Sequence, residues 1–117
     1  MSTADVVIRD ARAGESVALS ALMLRSKAHW GYDTALLESW RAELKVTEAM
    51  IARGEVFVAQ RDGAVLGVAA VVDEPPDVEL DTCFVEPAAI GSGVGRVLVE
   101  TALARARDAG AHTMRVV

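Results

Sequence analysis

The first half of the chain carries apolar residues at helical spacing. A short β-branched segment at residues 6–9 predicts a first strand, and residues 15–26, with apolar positions three and four apart, predict a first helix. A polar and aromatic stretch at residues 27–32 predicts a break after this helix. A second helix is predicted over residues 35–45, and a further helical turn over residues 47–53. This half therefore indicates one strand followed by helices.

The pattern changes to that of strands after residue 54. Three runs of mostly apolar residues, rich in valine, predict strands at residues 56–59, 65–72 and 78–85. Asp62-Gly63, between the first two runs, is typical of a two-residue hairpin turn, which needs positive φ angles. Residues 73–77 contain two consecutive prolines and predict a loop, because proline cannot donate a hydrogen bond to a sheet.

The last part of the chain predicts a loop, a helix and the start of a strand. Residues 87–95 are rich in glycine, and the helix that follows extends to about Ala109 with apolar residues four positions apart. A final strand is predicted over residues 112–117. The predicted order is β-α-α-β-β-β-α-β. It indicates an α/β protein of the mixed α+β type, with helices packed on one sheet in a single domain over residues 1–117.

Composition narrows the functions that fit this pattern. Hydrophobic residues make up 52% of the 117 residues and charged residues 25%, as in packed soluble domains. No apolar run approaches the ~20 residues of a membrane-spanning helix, and a net charge of −5 without a dense Lys/Arg block argues against nucleic acid. The single cysteine, Cys83, excludes an internal disulfide, and no Cys/His cluster indicates a metal site. We expect a cytoplasmic protein with no metal, no nucleic-acid partner and no membrane partner.

The segment before the last predicted helix holds three glycines in five positions, Gly91, Gly93 and Gly95. Glycine lets a backbone approach a ligand closely, and the first amides of a helix bind anions such as a diphosphate. Arg96 adds a cation for a charge-assisted contact. A tight turn that binds no ligand is the alternative. The spacing fits neither a Walker A loop, which needs Lys and Ser or Thr after the last glycine, nor the Gly-x-Gly-x-x-Gly dinucleotide fingerprint.

Two stretches carry a family resemblance: residues 80–87, LDTCFVEP, and five residues later 93–96, GVGR. Together they resemble the coenzyme-binding motif of the GNAT acetyltransferase superfamily, Gln/Arg-x-x-Gly-x-Gly/Ala after the fourth strand. The resemblance implies a GNAT fold with acetyl-CoA or coenzyme A as co-substrate, and pairing of the Phe84 and Val85 backbones with the pantetheine arm. Ile90 stands where the motif usually has Gln or Arg, so one polar contact is lost. The amides implied to hold the pyrophosphate are those of Gly91, Ser92, Gly93, Val94, Gly95 and Arg96.

The resemblance also implies a general base on the fourth strand. Glu79 lies eleven residues before Ile90, a spacing at which several members of the superfamily carry the glutamate that removes a proton from the attacking amine. A solvated strand carboxylate is the alternative reading of Glu79. Asp81, expected on the same strand face, is the next candidate for the base. The residues at 29–32 either form a wall of the acceptor site or fasten a loop to the core.

We expect an enzyme that transfers an acetyl group from acetyl-CoA to a primary amine of a small molecule or peptide, by direct attack in a ternary complex. Two alternatives stay open: a non-catalytic acyl-CoA-binding module or truncated remnant of such an enzyme, and an interaction domain whose glycine loop binds nothing. Members of the superfamily continue for several elements after the strand at residues 112–117, so the resemblance implies a C-terminally short domain. The open strand edge there predicts a homodimer or a longer native protein.

Overall fold

A computed structural model describes residues 6–29, 31, 33–40, 45–74, 77–111 and 113–116. In this part of the chain the strands are β1 (Val7–Asp10), β2 (Val56–Arg61), β3 (Ala64–Glu74), β4 (Asp77–Val85) and β5 (Met114–Val116). The helices are α1 (Ser16–His29), α2 (Thr34–Trp40), α3 (Glu48–Ala52) and α4 (Val94–Asp108), with a short 3-10 helix at Pro87–Ala89.

The described strands form one sheet in the order β1-β2-β3-β4-β5. The first three pairings are antiparallel and the last, β4 with β5, is parallel, so the sheet is mixed. The helix α4 makes the connection between the two parallel strands, as such a crossover requires. The predicted mixed α+β fold, with its order of strands and helices, is confirmed.

The sequence predicts the turn between β2 and β3 correctly, but it predicts too long a loop between β3 and β4. Asp62 and Gly63 take φ angles of 50° and 80°, which confirms the predicted hairpin turn between β2 and β3. The loop predicted at residues 73–77 is wrong for residues 73, 74 and 77, because β3 and β4 continue to a last pair formed by Glu74 and Asp77. The two prolines lie outside the described residues, and the residues that flank them still pair across the sheet.

Helix α1 extends three residues beyond its predicted end at Ser26, so the break expected from residue 27 is wrong for Lys27, Ala28 and His29. The basic residues of its last turn are favourable at the negative end of the helix dipole. Gly31 follows with a φ of 80° and donates its amide to the Ala28 carbonyl, a common way to end a helix. The aromatic residues at positions 30 and 32, which belong to the predicted break, lie outside the described residues. Residues 41–44 of the second predicted helix also lie outside them.

The sheet is covered on both faces, and alternate residues of its central strands face the two layers. Val56 and Val58 of β2 join Leu19, Leu22 and Met23 of α1 in one buried cluster. On the other face Phe57 and Ala59 of β2 pack with α4, whose contributions are Val94, Leu98 and Ala102. Burial on both faces explains why the sequences of β2 and β3 are mostly apolar without a regular polar alternation.

A glycine in β3 sets the distance between α4 and the sheet. A Cβ placed on Gly67 would lie 2.8 Å from Leu98 Cδ1 and 3.1 Å from Val94 Cγ1, closer than side chains pack. The absence of a side chain at this position lets the first turns of α4 approach the sheet directly. The N-terminus of α4 is thereby held beside the end of β4.

Candidate functional site

A cavity of about 710 Å³ lies where the end of β4, the glycine-rich loop and the end of α1 meet. Six of the residues predicted from the sequence to bind a cofactor line it: Phe84, Val85, Gly91, Gly93, Gly95 and Arg96. The structure therefore places strand backbone, loop glycines and a helix N-terminus around one space. Ser92 and Val94, also predicted to bind, are not among the residues that line it.

The loop takes a conformation that requires glycine at two positions. Gly91 and Gly93 have φ angles of 84° and 91°, in the left-handed region that side chains other than glycine rarely adopt. The hydroxyl of Ser92 donates to the Ala89 carbonyl at 2.5 Å, and its amide donates to the same oxygen at 3.1 Å. Ser92 thus holds the loop against the preceding 3-10 helix, which explains its place behind the cavity wall.

Helix α4 begins at this loop. Gly93 is its N-cap, and the Val97 amide donates to the Gly93 carbonyl at 3.2 Å. The amides of residues 94–96 precede this bond in the first turn, where amides have no partner within the helix. The side chain of Val94 is fully buried in the core and anchors the turn, while Gly95 leaves its side of the helix open to the cavity. This geometry provides backbone donors to an anion.

Arg96 stands at the rim of the cavity. Its side chain is 84% exposed and pairs with Glu100, one turn further along α4, at 3.0 Å. An exposed pair of this kind contributes little to stability, typically about 0.5 kcal/mol. Its guanidinium is therefore free to exchange Glu100 for a stronger anionic ligand at little cost.

The opposite wall of the cavity comes from α1 and was not predicted from the sequence. Ser26, buried, and Lys27, half-buried, line it. Arg25 donates from Nε and Nη2 to the two carboxylate oxygens of Glu86, both at 2.8 Å, and so links α1 to the residue that follows β4. These hydrogen bonds from Arg25 hold the pKa of Glu86 below its usual value. The two partners are 61 residues apart, and no local pattern signals such a contact.

The candidate base, Glu79, lies on β4 away from the residues that line the cavity. Its side chain is 22% exposed, and its Oε1 lies 3.9 Å from Nη2 of Arg115 on β5. The expectation that Asp81 shares the face of Glu79 by simple alternation is wrong. The pairing passes from Ala70–Thr82 to Val71–Leu80, so Asp81 is the extra residue of a β-bulge, and the alternation is broken there.

Cys83 adds to the cavity wall beside Phe84 on β4. Phe84 packs against the core cluster under α1, whereas Cys83 packs against the cluster under α4, so neighbouring residues face opposite layers. Burial raises the pKa of the Cys83 thiol. The thiol is therefore protonated at neutral pH and a weak nucleophile.

Within the described residues, no group of three or more His, Cys, Asp or Glu side chains is arranged to hold a metal ion. In the same part of the chain, no helix is both long and apolar enough to cross a membrane.

The order of strands and helices is that of the GNAT acetyltransferase fold. The sequence model of the acetyltransferase (GNAT) family matches residues 22–117, and the chain belongs to this family. No curated protein matched the chain in the sequence comparison.

Solved structures with the same fold are diverse in sequence. The PaiA N-acetyltransferase of Thermoplasma acidophilum, in complex with coenzyme A, has a TM-score of 0.77 at 18% identity, over 90% of this chain and 74% of that one. A GCN5-related N-acetyltransferase of Rhodopseudomonas palustris has a TM-score of 0.70 at 23% identity, over 90% and 68%. The N-acetylglutamate synthase of Neisseria gonorrhoeae, complexed with coenzyme A and N-acetyl-glutamate, has a TM-score of 0.66 at 24% identity, over 91% and 23%. At these identities the likeness establishes the fold.

Proposed function

We propose that the chain binds acetyl-CoA in the cavity at the end of β4 and transfers its acetyl group to a primary amine. The observation that carries this proposal is the convergence of the β4 backbone, the left-handed glycines and the first turn of α4 on one space. Membership of the acetyltransferase (GNAT) family supports it. Two proteins of the same fold, the PaiA enzyme and the N-acetylglutamate synthase, were solved with coenzyme A.

The cavity suits the two chemically different parts of the coenzyme. Its volume of about 710 Å³ is within the ~300–1,000 Å³ usual for ligand sites. The diphosphate is proposed to lie against the amides of residues 91–96, with Arg96 as an added cation. The pantetheine arm is proposed to run along Phe84 and Val85, which line the same space. The loss of the polar side chain at Ile90 leaves these backbone donors unchanged.

The proposed reaction is a direct acyl transfer. The amine nitrogen attacks the thioester carbonyl carbon, a C–N bond forms, and the C–S bond breaks to release the coenzyme thiolate. The amine loses a proton to Glu79 or to a water that Glu79 orients, and the leaving thiolate takes a proton from solvent. Glu79 lies four residues before Cys83 on the same strand, roughly 13 Å along β4 at strand spacing. A single water joins groups about 5–6 Å apart, so over this distance the proton would pass from the amine to Glu79 along a chain of waters.

A second candidate function is a binding module that holds acyl-CoA without catalysis. The observation in its favour is that Glu79 is absent from the cavity lining and lies beside Arg115. A module of this kind needs the glycine loop and α4 but no base. Both candidate functions use the same cofactor site. They differ only in whether Glu79 on β4, beside Arg115 on β5, acts as a base.

Two measurements test these candidates in order. Calorimetric titration with coenzyme A tests the site: saturable binding supports it, and no binding at millimolar coenzyme overturns both candidates. An acetylation assay with a panel of small primary amines and peptide amines then separates them. Product formation supports the enzyme, whereas tight coenzyme binding without acetylation of any amine supports the module.

The finer statements about partners and location are proposals as well. The acceptor is proposed to be an amine of a small molecule or peptide, and the functional form a homodimer. Light scattering of the purified chain tests the second statement, which a monodisperse monomer would contradict. The Cys83 thiol is compatible with the reducing cytoplasm, which we propose as the location.

A further inference from the structure

We propose that Lys27 is a phosphate-binding side chain of the cofactor cavity, and that the Arg25–Glu86 ion pair positions it. This inference rests on the proposed function, since it assigns a further contact to the same coenzyme. It comes from the wall of the cavity contributed by α1, which the glycine-rich motif does not include.

The charges that line the cavity are all of one sign. Lys27 and Arg96 are the charged residues of the described lining, and no Asp or Glu accompanies them. They stand on different walls, because Lys27 belongs to the last turn of α1 and Arg96 to the first turn of α4. A cavity with cations on two walls and helix amides on one favours an anion that extends between the walls. A diphosphate is such an anion.

The side chain of Lys27 also differs from Arg96 in burial. Lys27 is half-buried, whereas the Arg96 side chain is 84% exposed. A cation that is partly withdrawn from water interacts more strongly with a bound phosphate than one at the rim. Ile90 provides no polar group on the loop itself. Lys27 is thus the side chain best placed to supply charge within the cavity.

The ion pair between Arg25 and Glu86 holds this wall in place. Both of its hydrogen bonds measure 2.8 Å and form the two-pronged pairing that fixes orientation as well as distance. Glu86 is itself held, because its amide donates to the Leu66 carbonyl of β3 at 2.8 Å. Arg25 and Lys27 flank Ser26, which is buried, so fixing Arg25 against Glu86 also fixes the rotation of α1 and the position of Lys27.

A simpler explanation for Lys27 is that it only favours the negative end of the α1 dipole. The two explanations differ in what the residue does to ligand binding. A dipole partner changes the stability of the protein and leaves the affinity for coenzyme unchanged. A phosphate ligand changes affinity, and only for ligands that carry phosphate.

Two calorimetric measurements separate the two explanations for Lys27. One is titration with coenzyme A, and the other is competition by pantetheine, which lacks phosphate. The variants are Lys27→Met, Lys27→Arg and, as matched control, Lys45→Met, because Lys45 is exposed and lies outside this cavity. We expect Lys27→Met to weaken coenzyme A binding about 10-fold, as for loss of a charge-assisted hydrogen bond. We expect Lys27→Arg to retain most of the affinity, Lys45→Met to match wild type, and pantetheine affinity to be the same in all four proteins.

The outcomes that overturn the inference are distinct from those that overturn the function. Equal coenzyme A affinity in Lys27→Met and Lys45→Met removes Lys27 from the site and leaves the function intact. An equal loss for pantetheine assigns Lys27 a structural role instead. Failure of the wild-type protein to bind coenzyme A overturns the proposed function itself. Circular dichroism of each variant establishes that it is folded.

The role of the ion pair has its own test. Arg25→Glu alone places two carboxylates together and is expected to weaken coenzyme A binding about 3- to 10-fold, with pantetheine binding unchanged. The exchanged variant, Arg25→Glu with Glu86→Arg, restores the pair in reverse and is expected to recover most of that loss. If the single variant binds coenzyme A as well as wild type, or if the exchange recovers nothing, the pair does not position Lys27.

Discussion

Glu79 and Arg115 lie directly opposite each other in the parallel β4–β5 pair, and their side chains approach to 3.9 Å. On its other side Glu79 pairs with Val72, two residues along β3 from Ala70, which belongs to the core cluster under α1. Glu79 therefore faces the same layer as Phe84 of the cavity wall. The proposed base and Phe84 of the proposed pantetheine site thus lie on one strand and one face of the sheet.

The first prediction concerns this carboxylate. We expect Glu79→Gln to lower kcat about 100-fold at neutral pH, since the amide cannot accept the amine proton. The loss should shrink as the pH rises, because more of the acceptor amine is then already unprotonated. Asp81→Asn is the matched control, and we expect a small effect because Asp81 is exposed on the bulge. Coenzyme A affinity should be unchanged in both. An unchanged rate in Glu79→Gln would mean that Glu79 is not the base and has only a structural role.

The second prediction concerns the loop. In Gly93→Asp a carboxylate enters the proposed phosphate site, and like charges in close contact cost several kcal/mol, so we expect at least about 100-fold weaker coenzyme A binding. Gly54→Asp is the matched control, because Gly54 also has a positive φ, 74°, with nothing within 4 Å of a Cβ there. Both variants carry a similar backbone strain. Equal affinity of the two in calorimetry would refute the placement of the phosphate.

The third prediction uses the link between β1 and the start of α1. Arg9 donates two hydrogen bonds of 2.9 Å to Glu15, and they lower the pKa of Glu15 to about 2 from an ordinary value of 4.5. A lowered pKa stabilises the fold above about pH 4.5, and this contribution is lost as the pH falls toward 2. We expect Glu15→Gln to reduce the free energy of unfolding by about 2 kcal/mol at pH 7.

Urea denaturation at several pH values checks this. The difference between wild type and Glu15→Gln should shrink steadily as the pH is lowered below about 4.5. Glu100→Gln serves as control, because its carboxylate is exposed in a pair with Arg96 and its removal should cost under about 0.5 kcal/mol. A difference that does not depend on pH would mean that Glu15 acts through packing alone.

The fourth prediction concerns the contact of α4 with the sheet. Gly67→Ala would bring a methyl group 2.8 Å from Leu98 Cδ1, and overpacking of this kind costs about 1–3 kcal/mol of unfolding free energy. Leu98→Val removes the clashing atom, so the double variant should lose less stability than the sum of the two single variants. Denaturation of all three measures the coupling. Strict additivity would show that α4 can move away from β3 without cost.

The fifth prediction concerns the one cysteine of the chain. Because burial raises the pKa of Cys83, little thiolate is present at pH 7, and alkylation by iodoacetamide should be several-fold slower than for free cysteine. Cys83 lines the cavity, so coenzyme A should slow the reaction further. Mass spectrometry follows a single site, and the urea-unfolded chain gives the reference rate. Equal rates with and without coenzyme would place the ligand elsewhere.

The parts of the fold that the sequence predicted are those with local causes. The hairpin at Asp62 and Gly63 needs positive φ angles, and the order of elements follows from the period of the apolar residues. The glycine-rich loop could be recognised for the same reason, since its glycines are close together in sequence. In the structure these glycines line a cavity together with residues at the end of α1. Those residues lie about 60 positions earlier, where the sequence predicted a break in the chain.

The features that the sequence did not predict depend on long-range contacts. The bulge at Asp81 was not predicted, because polar and apolar residues alternate regularly over residues 77–81 and the extra residue shows only in the pairing of β4 with β3. The pair formed by Arg25 and Glu86 joins charged residues that would each be read as solvated surface. Lys27 lacked a role for the same reason, since only the packing of α1 brings it to the cavity.

Helix α4 begins at Val94, and its N-cap, Gly93, has no side chain to accept from the first amides, so on the proposed function the ligand in the cavity accepts from them. A ligand that binds there and not to the unfolded chain adds about 1.4 kcal/mol of stability for each tenfold rise in its concentration above Kd. On the proposed function, the half-life of the protein against cellular proteases would then follow the supply of its own acetyl donor. Cells poor in coenzyme A would hold less of the enzyme without any change in its synthesis.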